Sequence, residues 1–206
     1  MSDPQLDRWN QRFSTADGYL FGTEPAAFLA SQKAALPASG RALAIADGEG
    51  RNGVWLARQG LSVVSMDFSP IGQEKARKLA AEAGVEIETI QADIFTWDWP
   101  EAEFDLVAGI FFQFADHDQR AGIFAGIRKT LKPGGTLILQ GYRPEQVDYG
   151  TGGPKQRENM YTEALLRDAF GDWDIVHLRS HDSEVDEGEG HVGMSALIDL
   201  VARKPA

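Results

Sequence analysis

The fold class of this chain is indicated by residues 41–53, which read Arg41-Ala42-Leu43-Ala44-Ile45-Ala46-Asp47-Gly48-Glu49-Gly50-Arg51-Asn52-Gly53. The apolar part has the length of a β-strand, and the glycines follow the spacing G-x-G-x-x-G before a predicted helix at 54–57. Glycines allow a tight turn and a close approach of backbone to a ligand, while a helix N-terminus offers free N–H groups to an anion. The segment therefore predicts a strand–loop–helix unit that binds a nucleotide-like cofactor.

Acidic residues follow the next two predicted strands. Asp67 ends an apolar run about 20 residues after Gly48, where a carboxylate can accept both ribose hydroxyls of an adenosine ligand. Asp93 follows the third run, where it can meet the exocyclic amine of an adenine. The three features together predict an adenosine-containing cofactor and leave its identity open.

Short apolar runs alternate with helical patterns along the chain. Such alternation predicts a parallel sheet covered by helices on both faces. The last two runs are separated only by the acidic segment 180–193, which has no helical period, so we expect them to pair antiparallel. The strand-sized runs are 41–46, 61–66, 85–90, 104–110, 136–140, 174–178 and 196–202.

The predicted architecture is therefore α/β, with a doubly wound, Rossmann-like, mainly parallel seven-stranded sheet and an antiparallel C-terminal strand. A length of 206 residues favours a single domain over residues 1–206. Within it we expect an N-terminal helical cap at 1–39, a cofactor-binding core at 40–141, and a C-terminal helix and hairpin at 142–206.

Charge and composition limit the partners. The chain has 20 Lys and Arg against 31 Asp and Glu, a net charge of −11, which disfavours nucleic acid. No apolar run is long enough to span a membrane, and the N-terminus is too polar for a secretory signal. There is no cysteine, and residues 182–186 resemble a calcium loop without its turn glycine, so no metal site is predicted. We expect a cytoplasmic monomer or homodimer that acts on a small molecule.

These motifs resemble those of the class I S-adenosylmethionine-dependent methyltransferases over residues 40–140. In this chain Ala44 stands where the family usually has an acid, and Ala46 stands where it usually has glycine. The N-terminal segments 9–13 and 19–25 are similar to the small-molecule branch that includes tellurite-resistance and thiopurine-type methyltransferases. The matching motifs are the glycine loop at 43–52, Ser65-Met66-Asp67-Phe68-Ser69, Ala92-Asp93-Ile94, Phe104-Asp105-Leu106-Val107 and Leu131-Lys132-Pro133-Gly134-Gly135.

The resemblance implies S-adenosylmethionine as the cofactor and S-adenosylhomocysteine as the product. It also implies that Trp9 and Arg12 close over the cofactor, although an amphipathic docking helix would show the same pattern. Asp47 can face the positive charge of the cofactor, while Ala46 narrows the backbone approach by one methyl group. The cofactor-binding residues implied are Trp9, Arg12, Ala46, Asp47, Gly48, Gly50, Asn52, Asp67, Phe68, Ser69, Ala92, Asp93, Ile94 and Ile110.

Methyl transfer needs alignment and the exclusion of water more than it needs reactive side chains, because the methyl group is already activated. A thiol or chalcogen oxyanion acceptor would need no base. For a protonated acceptor, His191 and His117 are the candidate bases, although His117 also fits a helix cap. Around the acceptor we expect Tyr19, Phe111 and Arg143, and a surface ion pair is an equal alternative for Arg143.

Two other functions are compatible with these motifs. The literal G-x-G-x-x-G allows an NAD-dependent oxidoreductase, although the chain lacks a convincing catalytic Tyr/Lys arrangement and room for a substrate domain. The departures at Ala44 and Ala46 allow a protein that binds S-adenosylmethionine without turning it over. Detection of a methylated product distinguishes these functions.

Overall fold

The computed structural model describes residues 4–15, 18–188 and 190–206, so residues 1–3, 16 and 17 of the predicted N-terminal cap and residue 189 of the predicted acidic segment lie outside the description. Two short 3-10 turns, at Lys33–Ala35 and Arg157–Asn159, accompany the longer elements. The helices are α1 (Pro4–Thr15), α2 (Ala27–Ser31), α3 (Arg51–Arg58), α4 (Pro70–Glu82), α5 (His117–Thr130), α6 (Gln146–Tyr149) and α7 (Glu163–Phe170). The strands are β1 (Arg41–Ile45), β2 (Ser62–Asp67), β3 (Glu88–Gln91), β4 (Phe104–Ile110), β5 (Leu131–Tyr142), β6 (Asp174–Asp186) and β7 (Val192–Arg203).

The strands form one seven-stranded sheet in the order β3-β2-β1-β4-β5-β7-β6. Each pair among β1 to β5 is parallel, whereas β7 runs antiparallel to both β5 and β6. This arrangement confirms the predicted α/β architecture with its antiparallel C-terminal strand. The carboxyl ends of β1, β2 and β4 meet at one edge of the sheet, which is where ligands bind in open α/β folds.

The C-terminal hairpin is longer than the sequence suggested. We expected residues 180–193 to form an acidic loop, but β6 continues to Asp186 and β7 begins at Val192. The side chains of Asp182, Glu184 and Asp186 are less buried than that of Val185, which is turned towards the protein. The acidic residues recur at every second position, which is the period of a strand, so their charges share one face of β6.

Helices cover both faces of the sheet. On one face, Leu29 of α2 and Leu56 of α3 pack against Leu106 of β4. On the other, Ile127 of α5 and Phe170 of α7 belong to the second core cluster. These helices leave the carboxyl ends of the strands open to a ligand.

Candidate functional site

A pocket opens at the carboxyl ends of β1, β2 and β4, and we call it the main pocket. It brings together most of the residues that the sequence predicted: Trp9, Ala46, Asp47, Gly48, Asn52, Asp67, Phe68, Ala92, Asp93, Ile94, Ile110, Phe111 and His191. It also contains residues that the sequence reasoning did not select: Gln5, Phe13, Phe21, Arg51, Met66, Phe95, Phe112 and Phe114.

The glycine loop is built from left-handed backbone. Gly48 has φ of 57° and Gly50, the N-cap of α3, has φ of 87°. A Cβ atom on Gly50 would lie 2.5 Å from the Cβ of Ala76, so only glycine allows α3 and α4 to approach this closely. Ala46 has φ of 49°, which is strained for a residue with a side chain. The glycine that the resemblance leads us to expect at this position would relieve this strain.

Asp67 presents a fixed and buried carboxylate to the main pocket. Its side chain is 6% exposed, and its Oδ2 accepts a hydrogen bond from the Gly48 N–H at 2.9 Å. Its Oδ1 accepts from the Ser69 N–H at 2.8 Å. Burial raises the pKa of Asp67, and these backbone hydrogen bonds oppose the rise. Since a carboxylate oxygen has two lone-pair sites, each oxygen keeps capacity for one hydroxyl group of a ligand.

Asp47 has a different environment from the one we expected. Its carboxylate accepts a hydrogen bond from the Ser65 hydroxyl at 2.8 Å and from the Gly53 N–H at 3.2 Å. Burial raises the pKa of Asp47 to about 7, although both hydrogen bonds act in the opposite direction. The carboxylate thus holds the glycine loop against β2, and Asp47 is also one of the residues that line the main pocket.

The second acidic residue, Asp93, also lines the main pocket, after the end of β3. Its side chain is exposed, and its Oδ1 accepts a hydrogen bond from the Phe95 N–H at 2.9 Å. The apolar side chains of Ile94 and Phe68 line the same pocket. An acceptor group next to apolar surfaces suits a flat ring that carries an amine.

Four rings, Trp9, Phe21, Phe111 and His191, form what we call the aromatic wall of the main pocket. The centroid of His191 lies 4.6 Å from that of Phe21 and 4.4 Å from that of Phe111. Trp9 lies 6.2 Å from Phe21. Phe111 has φ of 55°, and such strain in a bulky residue is typical of functional sites.

His191 is held inside the aromatic wall as a neutral ring. Burial, with smaller effects of Arg51 and Arg12, lowers the pKa of His191 to about 3. Its Nδ1 has no hydrogen-bond partner among the described residues. A general base is most effective when its pKa is near the working pH, so His191 is better suited to hydrogen bonding than to removing a proton.

The turn between β6 and β7 is attached to the start of α3 and to the aromatic loop at 18–22. Glu187 forms an ion pair with Arg51 at 2.7 Å, with side chains only 12% and 7% exposed. A Cβ atom on Gly190 would lie 2.2 Å from the Phe21 ring, so glycine is required for this contact. The turn therefore carries His191 to the pocket, and the ion pair fixes its position.

Three acceptor-side or catalytic candidates lie elsewhere. Arg143 forms ion pairs with Asp182 and, at 3.6 Å, with Glu145, and it does not line the main pocket. His117 is 85% exposed at the start of α5, where Asp116 is the N-cap. Tyr19 donates its hydroxyl to the Lys75 carbonyl at 3.4 Å, and its neighbour Phe21 lines the pocket instead. The role of Tyr19 at the acceptor stays a prediction, and in the loop at 18–22 it is Phe21 that lines the main pocket.

Three of the cofactor candidates support the main pocket from outside its lining. Gly50 caps α3, as described above. The Ser69 hydroxyl accepts from the Gly72 N–H at 3.1 Å, which caps α4, and donates to Asn10 of α1 at 2.6 Å. The guanidinium carbon of Arg12 lies 4.7 Å from the centroid of the Trp9 ring. These contacts position α1 over the pocket.

Comparison with known proteins agrees with this geometry. Residues 42–135 match the family model described as a methyltransferase domain, which confirms the resemblance over that segment. A demethylmenaquinone methyltransferase from Thermus thermophilus is 32% identical over 108 residues, or 50% of this chain and 48% of that protein. The chain thus spans about half the length of the curated relative it matches.

Solved structures share the fold over nearly the whole chain. A structure from work on the conversion of a disulfide bond into a thioacetal group during echinomycin biosynthesis has a TM-score of 0.79 at 16% identity, covering 98% of this chain and 93% of the other. The N-methyltransferase NodS from Bradyrhizobium japonicum WM9, in complex with S-adenosylhomocysteine, has a TM-score of 0.73 at 15% identity, covering 99% and 100%. The fold is the α/β methyltransferase fold.

Two further features bear on partners. Among the described residues, no group of three or more His, Asp or Glu side chains is arranged to hold a metal ion. Within the same residues, no helix has both the length and the apolar character needed to cross a membrane.

Proposed function

We propose that this protein is an S-adenosylmethionine-dependent methyltransferase that acts on a small molecule. The observation that carries the proposal is the buried Asp67 carboxylate, whose two oxygens are each fixed by one backbone N–H and can each accept one more hydrogen bond. That acceptor set fits the two neighbouring hydroxyls of a ribose. The methyltransferase-domain match supports the proposal, whereas the antiparallel β7 departs from the all-parallel sheet of dinucleotide-binding folds.

The residues of the main pocket divide the work of binding. Asp67 binds the ribose, Asp93 accepts from the adenine amine, and Ile94 with Phe68 contacts the faces of the ring. When bound, the cofactor supplies a methyl group activated by a positively charged sulfur. The aromatic wall excludes water from that group and attracts its charge through the ring faces.

The residues of the main pocket indicate the methyl acceptor less directly than they indicate the cofactor. The weakly basic His191 leaves two kinds of acceptor: one that reaches the main pocket already in its nucleophilic form, and one that loses its proton to a base outside that pocket. A thiolate or a chalcogen oxyanion is of the first kind, in agreement with the likeness of the N-terminal segments to the tellurite-resistance and thiopurine-type branch. An acceptor that arrives protonated would need a base outside the main pocket.

Isothermal titration calorimetry with S-adenosylmethionine, S-adenosylhomocysteine and NAD tests the cofactor assignment. We expect both sulfur compounds to bind and NAD not to bind. Asp67→Asn should weaken S-adenosylhomocysteine by about 10–150-fold, because a hydrogen bond to a charged group contributes about 1.5–3 kcal/mol.

Asp98→Asn is the matched control, since Asp98 is fully exposed and pairs only with Lys129 among the contacts described. Preferential binding of NAD, or equal affinity of the Asp67 and Asp98 variants, would contradict the assignment. Detection of S-adenosylhomocysteine formed with any acceptor excludes a protein that only binds the cofactor.

A further inference from the structure

A second cavity of about 380 Å³ lies between α2 and the outer surface of β5, β7 and β6. Phe111, the strained residue of the aromatic wall, is the one described residue that lines both this cavity and the main pocket. A volume above about 300 Å³ is within the usual range of small-molecule sites. The two spaces are therefore neighbours across a single side chain.

A buried polar group forms the floor of the second cavity. Asp199, only 4% exposed, accepts from the Gln140 amide Nε2 at 2.8 Å and pairs with the His181 Nε2 at 2.7 Å. The carboxylate fixes the amide orientation, because a flipped Gln140 would place its oxygen against the negative charge. It also fixes the His181 tautomer, with Nε2 as the donor, so Nδ1 keeps the lone pair of the neutral ring.

Two buried polar atoms of residues that line the cavity have no hydrogen-bond partner among the described residues. Gln140 is 4% exposed, and its Oε1 has no partner among the described residues. The Nε2 of His177, a residue that also lines the cavity, has none either among them, and it is an acceptor in the tautomer that carries its proton on Nδ1. A buried acceptor without a donor costs about 1–3 kcal/mol, so this arrangement suits a ligand that brings several N–H donors.

The charges around the cavity favour a cation. Arg179 is the positive side chain among its described lining, against the buried carboxylate of Asp199, that of Glu187, and the exposed carboxylates of Glu184 and Asp186. Glu187 is neutralised by Arg51, which leaves an excess of negative charge. An anionic ligand would be repelled here, whereas an ammonium group would be attracted and would supply three donors.

We propose that the second cavity binds the methyl acceptor, that the acceptor is a small amine, and that His181, oriented by Asp199, removes its proton. This inference rests on the proposed methyl transfer. In the step, one proton passes from the ammonium to His181, and the freed lone pair of nitrogen forms the new N–C bond beside Phe111. The S–C bond breaks with its electron pair remaining on sulfur, the product is a methylated ammonium, and His181 returns its proton to water.

The test uses four probes that share one ring: benzylamine, benzyl alcohol, benzyl mercaptan and benzoate. Binding is measured by calorimetry with the complex of the protein and S-adenosylhomocysteine, and by NMR of protein labelled with ¹⁵N-histidine. We expect benzylamine to bind, to shift the His181 ring signals, and to be methylated in the presence of S-adenosylmethionine, while benzoate does not bind.

Variants separate binding from proton removal. Asp199→Asn should weaken benzylamine at least tenfold, whereas His181→Gln should keep its affinity within about threefold and lower methylation about 100-fold or more, the effect of losing a general base. Both should bind S-adenosylhomocysteine as the wild type does. Asp168→Asn, at an exposed position of α7, is the matched control. If Asp199→Asn does not fold, Ser183→Phe takes its place, because the larger side chain fills the second cavity and should prevent benzylamine binding.

The outcomes are distinct. If S-adenosylhomocysteine binds but benzylamine neither binds nor is methylated, the amine site is wrong and the methyltransferase proposal stands. Methylation of benzyl mercaptan with no reaction of benzylamine overturns the amine in favour of a soft acceptor. Absence of any cofactor binding overturns both proposals.

Discussion

Replacing Ala46 with glycine separates backbone strain from side-chain packing in the loop that joins β1 to α3. Ala46 has φ of 49° and is half-buried at the main pocket. Left-handed backbone costs a residue with a Cβ atom about 1–2 kcal/mol. The substitution removes that cost. It also stabilises the unfolded chain by about 0.4–1 kcal/mol through added conformational entropy, and it loses part of a buried methyl group worth about 0.8 kcal/mol. We expect a free energy of unfolding close to that of the wild type.

Ala44→Gly supplies the comparison. Ala44 is 1% exposed in β1 and is not among the residues with positive φ, so this change loses the methyl contact and gains flexibility with no relief of strain. It should cost about 1.5 kcal/mol. The free energy of unfolding measured in urea should therefore be about 1–2 kcal/mol higher for Ala46→Gly than for Ala44→Gly. In thermal unfolding this corresponds to a Tm higher by about 2–8 °C.

Ala102→Gly is a second control, because Ala102 has φ of 47° but is exposed and lies outside the main pocket. It should stabilise slightly and leave S-adenosylhomocysteine affinity unchanged, whereas Ala46→Gly should raise that affinity by removing a methyl group from the pocket. Equal destabilisation by Ala46→Gly and Ala44→Gly would refute the assignment of strain to residue 46.

Two further predictions concern the ionised groups around the main pocket. Glu187→Gln should lower the free energy of unfolding by about 3 kcal/mol, because it leaves the buried Arg51 without its counter-ion. The control Glu145→Gln, at an exposed ion pair, should change it by less than about 0.5 kcal/mol. Thermal unfolding measures both. The pKa of His191 is about 3 in the folded protein and 6.5 in the unfolded chain, so its burial lowers the free energy of unfolding as pH falls from 6.5 to 3. The pKa of Asp47 is about 7 in the folded protein and 3.8 in the unfolded chain, so its burial lowers the free energy of unfolding as pH rises from 3.8 to 7. Relative to the wild type, His191→Gln should therefore become less stable as pH rises from 4 to 7, and Asp47→Asn should become less stable as pH falls from 7 to 4. Urea unfolding at several pH values between 4 and 7 measures both variants. Identical pH profiles for the two would contradict these assignments.

The parts of the fold that the sequence predicts well are those with a local signal. The glycine spacing and Asp67 are each defined within a few residues, and the strands β1 and β2 and the helix α3 that they predict occur at these positions, with bounds that differ by one to three residues. The hairpin length was missed because Asp182, Glu184 and Asp186 suggest a loop by composition, although their alternation is that of a strand.

The parts of the site that were missed depend on contacts between distant segments. Arg51 and Glu187 are 136 residues apart, and no spacing rule connects them. The group of Gln140, His181 and Asp199 arises because three strands place these side chains on one surface, which requires the register of β5, β7 and β6. A local pattern cannot supply that register.

The two strained residues explain why the main pocket and the second cavity lie together. β1 and β4 are neighbouring parallel strands, with Ile45 paired to Gly109, and each leads into a left-handed residue at the same edge: Ala46 directly and Phe111 after Ile110. Left-handed backbone turns the chain sharply, so both strands leave the sheet at once and open space between them. Neither alanine nor phenylalanine favours this conformation, and strain of about 1–3 kcal/mol at each persists only because the surrounding core determines it. At Phe111 the turn places one ring against both spaces. The same backbone feature that opens the main pocket therefore also sets its boundary with the proposed amine site.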